Sequence, residues 1–249
     1  MAQDSENIQV IPPRAKDRPM RVFLDQAIRE YRDKVMEKVL GRPLRKPWMK
    51  YREIRVIEDL LIALQPKRCL EWGVGFGTLH FPKLLPDDGE WIAVEHDEEW
   101  AGKIVRMQLP SQVKLHHVPP DQVVPDEPRW ADSAGDGDYQ KFRNYVEFPA
   151  QYGEFDFILV DGRAREACIQ EAHSLLSPRG VLVVHDANRD PYQKPMSLFQ
   201  NQLSFKDYRR YSGGVWIGSV GRDLDKLIDV KKHGSIWKIY NALGRRFHL

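Results

Sequence analysis

The residues best suited to ligand chemistry begin with a glycine-rich run, Glu71-Trp72-Gly73-Val74-Gly75-Phe76-Gly77-Thr78. Its three glycines let the backbone approach a ligand closely and adopt dihedral angles that a side chain would forbid. The spacing is not the G-x-G-x-x-G fingerprint of dinucleotide-binding folds. The run therefore predicts a ligand site at a strand-to-helix turn, with simple packing of that turn as the alternative.

A carboxylate follows at the end of the next apolar stretch, where Trp91-Ile92-Ala93-Val94 leads into Glu95. An acid about twenty residues beyond a glycine turn is placed to accept hydrogen bonds from both ribose hydroxyls of a nucleoside. Nicotinamide enzymes use the same device, so Glu95 predicts a nucleoside cofactor without choosing its kind. Asp97 has a simpler use as the N-cap of the following helix.

A second acid, Asp161, closes another apolar stretch in Val160-Asp161-Gly162-Arg163. Open α/β sheets present their active sites at such strand ends. A carboxylate there can orient a substrate hydroxyl, act as general base or bind a metal ion. Arg163 and Arg165 can clamp an anionic substrate, although arginines are also common at exposed helix starts.

The last polar group, Val184-His185-Asp186-Ala187-Asn188, follows a further apolar run and falls beside Asp161 if the two strands are neighbours. His185 suits removal of a proton from an attacking hydroxyl, because an ordinary imidazole titrates near neutrality. A histidine at a strand end can equally be structural. Together with Asp161, Asp186 and Asn188 offer the hard oxygen ligands that Mg²⁺ or Ca²⁺ accepts, which leaves a metal site open.

Short apolar runs that alternate with helical periodicity predict a doubly wound, mostly parallel α/β sheet of the Rossmann-like kind. The predicted strands are 68–72, 90–95, 113–118, 155–160 and 181–185, and the predicted helices are 78–85, 97–109, 164–176 and 191–203. Two further apolar pieces, Tyr208–Tyr211 and Val215–Ser219, straddle Gly213-Gly214 and predict a closing antiparallel hairpin.

Four regions are predicted along the chain: a flexible arm over 1–20, N-terminal helices forming a cap or lid over 21–65, a cofactor-binding core over 66–220 and a helical tail over 221–249. The helices are expected from Arg21 to Leu40 and from Tyr51 to Leu64. A polar insertion over 119–153 carries aromatics that form either a second lid or a satellite core. The basic, aromatic tail is expected to pack on its own domain or on a second subunit, giving a homodimer through the terminal helices, rather than on a membrane.

Composition excludes several classes of protein. The chain has 249 residues with 38 basic and 36 acidic side chains, and a net charge of +2 does not indicate a nucleic-acid binder. Its apolar runs are too short to span a bilayer and its polar start lacks a signal peptide's apolar core, so a cytoplasmic location is expected. Cys69 and Cys168 fall in segments predicted to be buried and carry no predicted function.

Residues 68 to 192 resemble the class I S-adenosylmethionine-dependent methyltransferases, whose glycine turn has the acidic-x-G-x-G-x-G spacing found here. The likeness is closer to the group that includes plant glucuronoxylan O-methyltransferases and their bacterial relatives. The residues that carry it are Leu70-Glu71-Trp72-Gly73, Val94-Glu95-His96-Asp97-Glu98-Glu99-Trp100, Val160-Asp161-Gly162-Arg163-Ala164-Arg165 and His185-Asp186-Ala187-Asn188-Arg189. The sequence departs at Phe76-Gly77-Thr78, where the group has a tighter glycine-serine-threonine turn.

The resemblance implies that S-adenosylmethionine is the cofactor, with its ammonium group held by Glu71 directly or through water. Gly73, Gly75, Gly77, Thr78 and Glu95 would complete its site. The family also places the adenine ring beside the residues that match His96 and Asp121, the latter facing the exocyclic amine.

The implied reaction is methylation of a hydroxyl on a small molecule or a carbohydrate by in-line displacement, with Asp161, His185 and Asp186 as catalytic candidates. His185 or Asp161 would take the proton. Ala187 is an extra residue between Asp186 and Asn188 relative to metal-dependent O-methyltransferases. Two rival functions stay open: an NAD-dependent oxidoreductase, and a catalytically silent nucleoside-binding module of the same fold.

Overall fold

The computed structural model describes residues 18–39, 41, 46–121, 139–209 and 211–247. Its strands are β1 (Arg68–Trp72), β2 (Glu90–Glu95), β3 (Val113–His117), β4 (Phe155–Val160), β5 (Leu176–His185), β6 (Asn201–Phe205) and β7 (Val215–Ser219). Its helices are α1 (Pro19–Lys38), α2 (Tyr51–Leu64), α3 (Glu98–Val105), α4 (Arg143–Glu147), α5 (Arg165–Leu175), α6 (Gln193–Met196) and α7 (Val230–Phe247).

The seven strands form one sheet in the order β3-β2-β1-β4-β5-β7-β6. The first five run parallel, and β7 pairs antiparallel with both β5 and β6. Val215 of β7 lies opposite His185 on one side and Phe205 on the other. The carboxyl ends of β1 to β6 therefore share one edge of the sheet, which is where parallel sheets hold their sites. This topology confirms the predicted doubly wound sheet with a closing antiparallel hairpin.

Helices cover both faces of the sheet, which is why its central strands are almost continuously apolar. Cys69 of β1 and Phe157 of β4 face α2, whereas Leu70 and Ile158 face α5, and all four are fully buried. Burial of a large apolar side chain contributes roughly 1.5–3 kcal/mol. The two apolar layers therefore fix the strand ends that carry the polar residues.

The predicted bounds of β1, β2 and β4 are confirmed to the residue, and the predicted fifth strand starts earlier, at Leu176. The predicted helix 78–85 is wrong: only a 3-10 turn forms at Phe81–Leu84, where Pro82 lacks the amide hydrogen that a helix needs. The predicted helix 97–109 is shorter and ends at Val105.

The predicted helix 191–203 is also wrong, because α6 ends at Met196 and the chain enters β6 at Asn201. The closing hairpin pairs β7 with β6 rather than with the predicted Tyr208–Tyr211. In β6 the side chains of Gln202 and Ser204 are exposed while their neighbours are more buried, as expected of an edge strand.

The terminal helices pack against the core. Helix α2 has the predicted bounds and ends where Gln65 adopts a φ of +46°, just before Pro66. Phe23 of α1 meets Tyr240 of α7 edge to face at 4.7 Å between ring centroids, and Trp237 is buried in the layer under α2. The tail thus packs on its own domain, as one of the two expectations had it.

In the insertion, Phe142 and Tyr145 are buried in the core, which favours the satellite-core alternative. The arm up to residue 17 and residues 122–138 lie outside the described part of the chain. In the described part, no helix combines the length and hydropathy needed to cross a membrane.

Candidate functional site

The turn after β1 places its three glycines in three different surroundings. Gly73 has a φ of +97°, and a Cβ there would lie 2.4 Å from the Cα of Gly162. At Gly77 a Cβ would meet the Glu71 carboxyl group at 3.2 Å. At Gly75 it would meet no atom within 4 Å. Gly73 therefore joins the ends of β1 and β4, while Gly75 borders open space that a ligand can enter.

Glu71 and Thr78 lie beneath this turn and are almost fully buried. The indole Nε1–H of Trp91 donates to Glu71 Oε2 over 2.8 Å, and the Thr78 hydroxyl donates to Glu71 while accepting from the Gly75 N–H at 2.9 Å. Burial raises the pKa of Glu71 to about 8. Without a bound cation, Glu71 is therefore mostly protonated at neutral pH, and its contact with a cofactor ammonium group stays a prediction.

Glu95, at the end of β2, differs from Glu71 because hydrogen bonds favour its ionised form. Its Oε2 accepts from the Val74 N–H, and its Oε1 accepts from the N–H groups of His96 and Asp97, each at 2.9 Å. Burial alone would raise the pKa of Glu95, but the bonds from His96, Asp97 and Val74 lower it below its usual range. An ionised carboxylate is thus fixed directly against the glycine turn.

The residues flanking Glu95 fix the neighbouring loops. Asp97 accepts from the Trp100 N–H at 2.8 Å and caps α3, which confirms its predicted N-cap role. The His96 ring lies edge-on against Tyr145, with 6.2 Å between centroids. Asp121 accepts from both the backbone and the side-chain amide of Asn144. His96 and Asp121 thus tie the ends of β2 and β3 to the α4 segment, and their adenine contacts stay a prediction.

Asp161 and His185 come together at the ends of β4 and β5, as the sequence predicts. His185 Nδ1 lies 2.8 Å from Asp161 Oδ1. On the other side of the ring, His185 Nε2 lies 3.3 Å from Glu53 Oε2 on α2. His185 and Glu53 are buried, whereas the Asp161 side chain is 27% exposed. Glu53 could not be predicted from local sequence, because its partner His185 lies 132 residues further along the chain.

The carboxylates of Asp161 and Glu53 favour the protonated form of His185. Burial would lower the pKa of His185, but Asp161 and Glu53 raise it well above its usual range. His185 is then an imidazolium with both nitrogens donating, so it has no free lone pair for a substrate proton. Both ring nitrogens thus face carboxylate oxygens, and which of His185 and Asp161 accepts a proton in the reaction stays a prediction.

The Arg165 guanidinium lies between the carboxyl groups of Asp161 and Asp186, where a metal ion bound by both would have to lie. Its guanidinium lies 3.2 Å from Asp161 Oδ1 and 3.9 Å from Asp186 Oδ2, and it donates to the His185 carbonyl at 2.7 Å. Asp186, with a φ of +55°, accepts from the Gly213 N–H. Arg165 thus fastens the ends of β4 and β5 together and is not an exposed substrate clamp.

Asn188 turns away from these acids and donates to the backbone carbonyls of Asp207 and Arg209 at 2.9 and 2.6 Å. Across the ranges that the structure describes, no group of three or more His, Cys, Asp or Glu residues is arranged to hold a metal ion. With a guanidinium between the two acids and the amide directed elsewhere, the residues do not fit a divalent metal.

A second long-range contact anchors this region. Arg52 of α2 forms a buried ion pair with Asp207, just after β6, and its guanidinium lies over the rings of Trp237 and Tyr240 at 4.9 and 4.3 Å. Asp207 also accepts from the Arg209 side chain at 2.9 Å. The contact joins α2, α7 and the loop after β6.

A polar cavity of about 550 Å³ opens beyond the end of β5. In the strand order it lies on the opposite side of β4 and β5 from the glycine turn. Its lining combines amide, hydroxyl, charged and aromatic side chains: Ala187, Asn188, Asp190, Gln193, Gln202, Leu203, Ser204, Lys206, Asp207, Tyr208, Arg209 and Trp216. The cavity can therefore bind a small molecule that carries several hydrogen-bonding groups.

No model of a known protein family matches the chain, and no curated protein matches it. Solved structures do resemble it. A candidate O-methyltransferase from Klebsiella pneumoniae is 16% identical, with a TM-score of 0.53 over 86% of this chain and 93% of that one. Cofactor-bound Rv0187 from MTB is 16% identical, with a TM-score of 0.52 over 83% and 100%.

A spermidine synthase in complex with the transition-state analogue AdoDATO is 13% identical, with a TM-score of 0.51 over 80% of this chain and 75% of that one. At these identities the likenesses show the fold alone. That fold is the Rossmann-like sheet with an antiparallel closing strand that methyltransferases share with spermidine synthase.

Proposed function

We propose that this protein is an S-adenosylmethionine-dependent methyltransferase that acts on a hydroxyl oxygen of a small molecule. One observation carries the proposal. The glycine turn touches the ionised Glu95 through Val74 and the Asp161-Gly162 turn through Gly73, with open space above Gly75. A nucleoside anchor and a proton-accepting acid thus flank the same open turn.

The residues present fit this cofactor. Glu95 Oε2 receives one bond from the protein backbone, and a carboxylate oxygen can accept a second from a ribose hydroxyl. Gly75 lets the backbone approach the amino-acid part of the cofactor. When bound, S-adenosylmethionine supplies an electrophilic methyl group on a sulfonium. Glu71, directly below, can ionise when a cation approaches, because a nearby positive charge favours the carboxylate.

Asp161 is the residue that we assign to the acceptor. Its side chain is partly exposed at the end of β4; His185 Nδ1 lies 2.8 Å from its Oδ1, and the Arg165 guanidinium pairs with the same oxygen at 3.2 Å. Asp161 would hold the acceptor hydroxyl and take its proton when that oxygen receives the methyl group that S-adenosylmethionine would supply. The rate acceleration would then come mainly from holding the acceptor oxygen and the methyl group close together.

The polar cavity beyond β5 is the proposed acceptor site. Ala187 and Asn188 of its lining directly follow Asp186, and Asp161 itself does not line the cavity, so the reacting hydroxyl would have to extend from the cavity to Asp161. Its amide and hydroxyl lining supports a hydroxylated acceptor. A carbohydrate is the first class to test, since the sequence resembles the glucuronoxylan O-methyltransferase group.

Calorimetry tests the cofactor, with S-adenosylhomocysteine and NAD titrated separately into the protein. We expect binding of S-adenosylhomocysteine, and binding of NAD alone would overturn the proposal in favour of an oxidoreductase. Transfer of labelled methyl groups to a panel of sugars and phenols then tests the reaction. Failure with every acceptor despite cofactor binding would favour the silent binding module.

The same assay tests Asp161. We expect Asp161→Asn to lower kcat by about a hundredfold or more, the range of an acid-base group, while leaving S-adenosylhomocysteine binding unchanged. Asp156→Asn is the matched control, because Asp156 belongs to the same strand but binds the Lys67 and Arg68 N–H groups at its opposite end. Equal turnover in Asp161→Asn and the control would remove Asp161 from the mechanism.

A further inference from the structure

Glu53 is a buried carboxylate at the start of α2, outside the sheet that carries the other site residues. It is 1% exposed. Its Oε2 accepts from the Lys50 N–H at 2.7 Å and its Oε1 accepts from the Gly214 N–H at 3.3 Å. These bonds fix the carboxyl group from two directions. The remaining direction of Oε2 points to His185 Nε2, 3.3 Å away.

His185 connects this fixed carboxylate to Asp161. One ring nitrogen lies 3.3 Å from Glu53 Oε2 and the other lies 2.8 Å from Asp161 Oδ1, so each ring nitrogen faces a carboxylate oxygen. Arg165 reaches the same oxygen of Asp161 at 3.2 Å. The position of the Asp161 carboxyl group is thus set from outside its own strand.

We propose that Glu53 is a positioning residue of the reaction: it holds His185, and His185 holds Asp161 toward the acceptor hydroxyl. This rests on the proposed function, in which Asp161 accepts the proton. It follows that α2 completes the active site. The helix is itself fixed by α1, since Glu30 and Asp33 accept from the backbone N–H and the hydroxyl of Tyr51.

Other charged side chains lie around the Glu53–His185–Asp161 contacts. Asp186 interacts electrostatically with His185, and Arg52 with Glu53. Arg209 interacts with both Glu53 and Asp186. Arg165 contacts Asp161 from α5. A test must therefore separate removal of the Glu53 charge at His185 from a general change in local charge.

Glu53→Gln keeps the shape of the side chain and removes its charge. Glu58→Gln is the matched control, because Glu58 lies on the same helix and also pairs with a histidine, His80, at 2.8 Å. Two readouts are needed: the NMR titration of each histidine in the cofactor-free protein, assigned with His185→Gln, and the kinetic constants for methyl transfer.

In Glu53→Gln we expect the His185 titration midpoint to fall by about one pH unit or more, since an opposite charge has been removed. We expect kcat to fall by about tenfold to a hundredfold, as for a misplaced reacting group, and the KM for the cofactor to stay within about twofold. Glu58→Gln should leave the His185 titration, kcat and KM at wild-type values.

An unchanged His185 titration in Glu53→Gln overturns the proposal, whatever the protein catalyses. A shifted titration with wild-type kcat also overturns it, because Glu53 would then be structural only. A wild-type protein that transfers no methyl group would instead reject the proposed function, and the His185 titration would still show whether Glu53 holds His185.

If Glu53→Gln does not fold, His185→Gln breaks the same contact and leaves Glu53 bonded to Lys50 and Gly214. We expect a similar loss of kcat. If both variants fold, the double variant should lose no more than either alone, because the two residues act through one contact. Additive losses would overturn the proposal.

Discussion

Gly73 and Gly162 lie so close together that a methyl group on Gly73 would sit 2.4 Å from the Cα of Gly162. The turns that follow β1 and β4 are therefore in direct backbone contact, although the residues are 89 positions apart in the sequence. This contact holds the proposed cofactor turn beside Asp161. Gly73 is therefore constrained by packing, whereas Gly75 borders open space.

Gly73→Ala should lower the free energy of unfolding by at least about 2 kcal/mol, because its φ of +97° and the contact with Gly162 both oppose a side chain. Gly75→Ala should change it by less than about 0.5 kcal/mol, since its methyl group enters open space. Urea denaturation measures both. Gly75→Ala should nevertheless weaken S-adenosylhomocysteine binding at least about tenfold, and wild-type affinity would place the cofactor elsewhere.

The buried Glu71 predicts a dependence of stability on pH. Its pKa is raised to about 8 in the folded protein from 4.5, so the folded protein keeps a proton that the unfolded chain releases. Stability from this group is complete below about pH 4.5 and is lost as the pH rises to about 8. Glu71→Gln should remove this loss.

We therefore expect the unfolding free energy of Glu71→Gln, relative to wild type, to rise between pH 5 and pH 8 by at most about 1.4 kcal/mol per pH unit. Urea midpoints at unit intervals of pH give the comparison, and histidine titrations cancel in the difference. Parallel pH profiles for the two proteins would show that Glu71 is ionised in the folded state.

The Arg52–Asp207 pair should contribute strongly to stability. Both side chains are buried, and removing one partner of such a pair costs about 3–5 kcal/mol when the other charge is left uncompensated. Asp207 keeps the Arg209 side chain at 2.9 Å, so Arg52→Met should lower the free energy of unfolding by the lower end of that range, about 3 kcal/mol. Arg55→Ala on the same helix removes a half-exposed pair with Asp59 and should cost less than about 1 kcal/mol. Similar urea midpoints for the two variants would contradict this ranking.

Chelation should leave turnover unchanged. Arg165 supplies the positive charge between Asp161 and Asp186, so no divalent ion is needed there. We expect methyl transfer after dialysis against EDTA to match the untreated protein, and added Mg²⁺ to have no effect. Loss of turnover that Mg²⁺ restores would show that the acids rearrange around a metal when the substrates bind.

The sheet could be predicted from sequence because each central strand is a short apolar run between turn residues. The segment after β5 could not, since the helical spacing around Tyr192 and Met196 and the alternation in Gln202–Phe205 overlap. A tertiary contact marks the boundary between the two segments. Phe199, between α6 and β6, packs edge-on against Trp216 of β7 with 5.4 Å between ring centroids.

Asp161, His185 and Glu95 could be predicted because they stand at the ends of recognisable strands. Glu53 and Arg52 could not, as they lie inside an amphipathic helix where charged residues usually face solvent. Their partners His185 and Asp207 follow 132 and 155 residues later. The protonation state of Glu71 could not be predicted either, because the sequence shows an acid beside glycines but does not show that its side chain is buried.

The bond between Glu53 and the Gly214 N–H spans 161 residues and has a consequence for biosynthesis. During translation the N-terminal helices leave the ribosome long before β7, so Glu53 lacks the Gly214 N–H until nearly the whole chain has been made. Contacts this distant in sequence also close slowly. A nascent or truncated chain that ends before residue 214 therefore lacks both β7 and the Glu53–Gly214 bond of the proposed site.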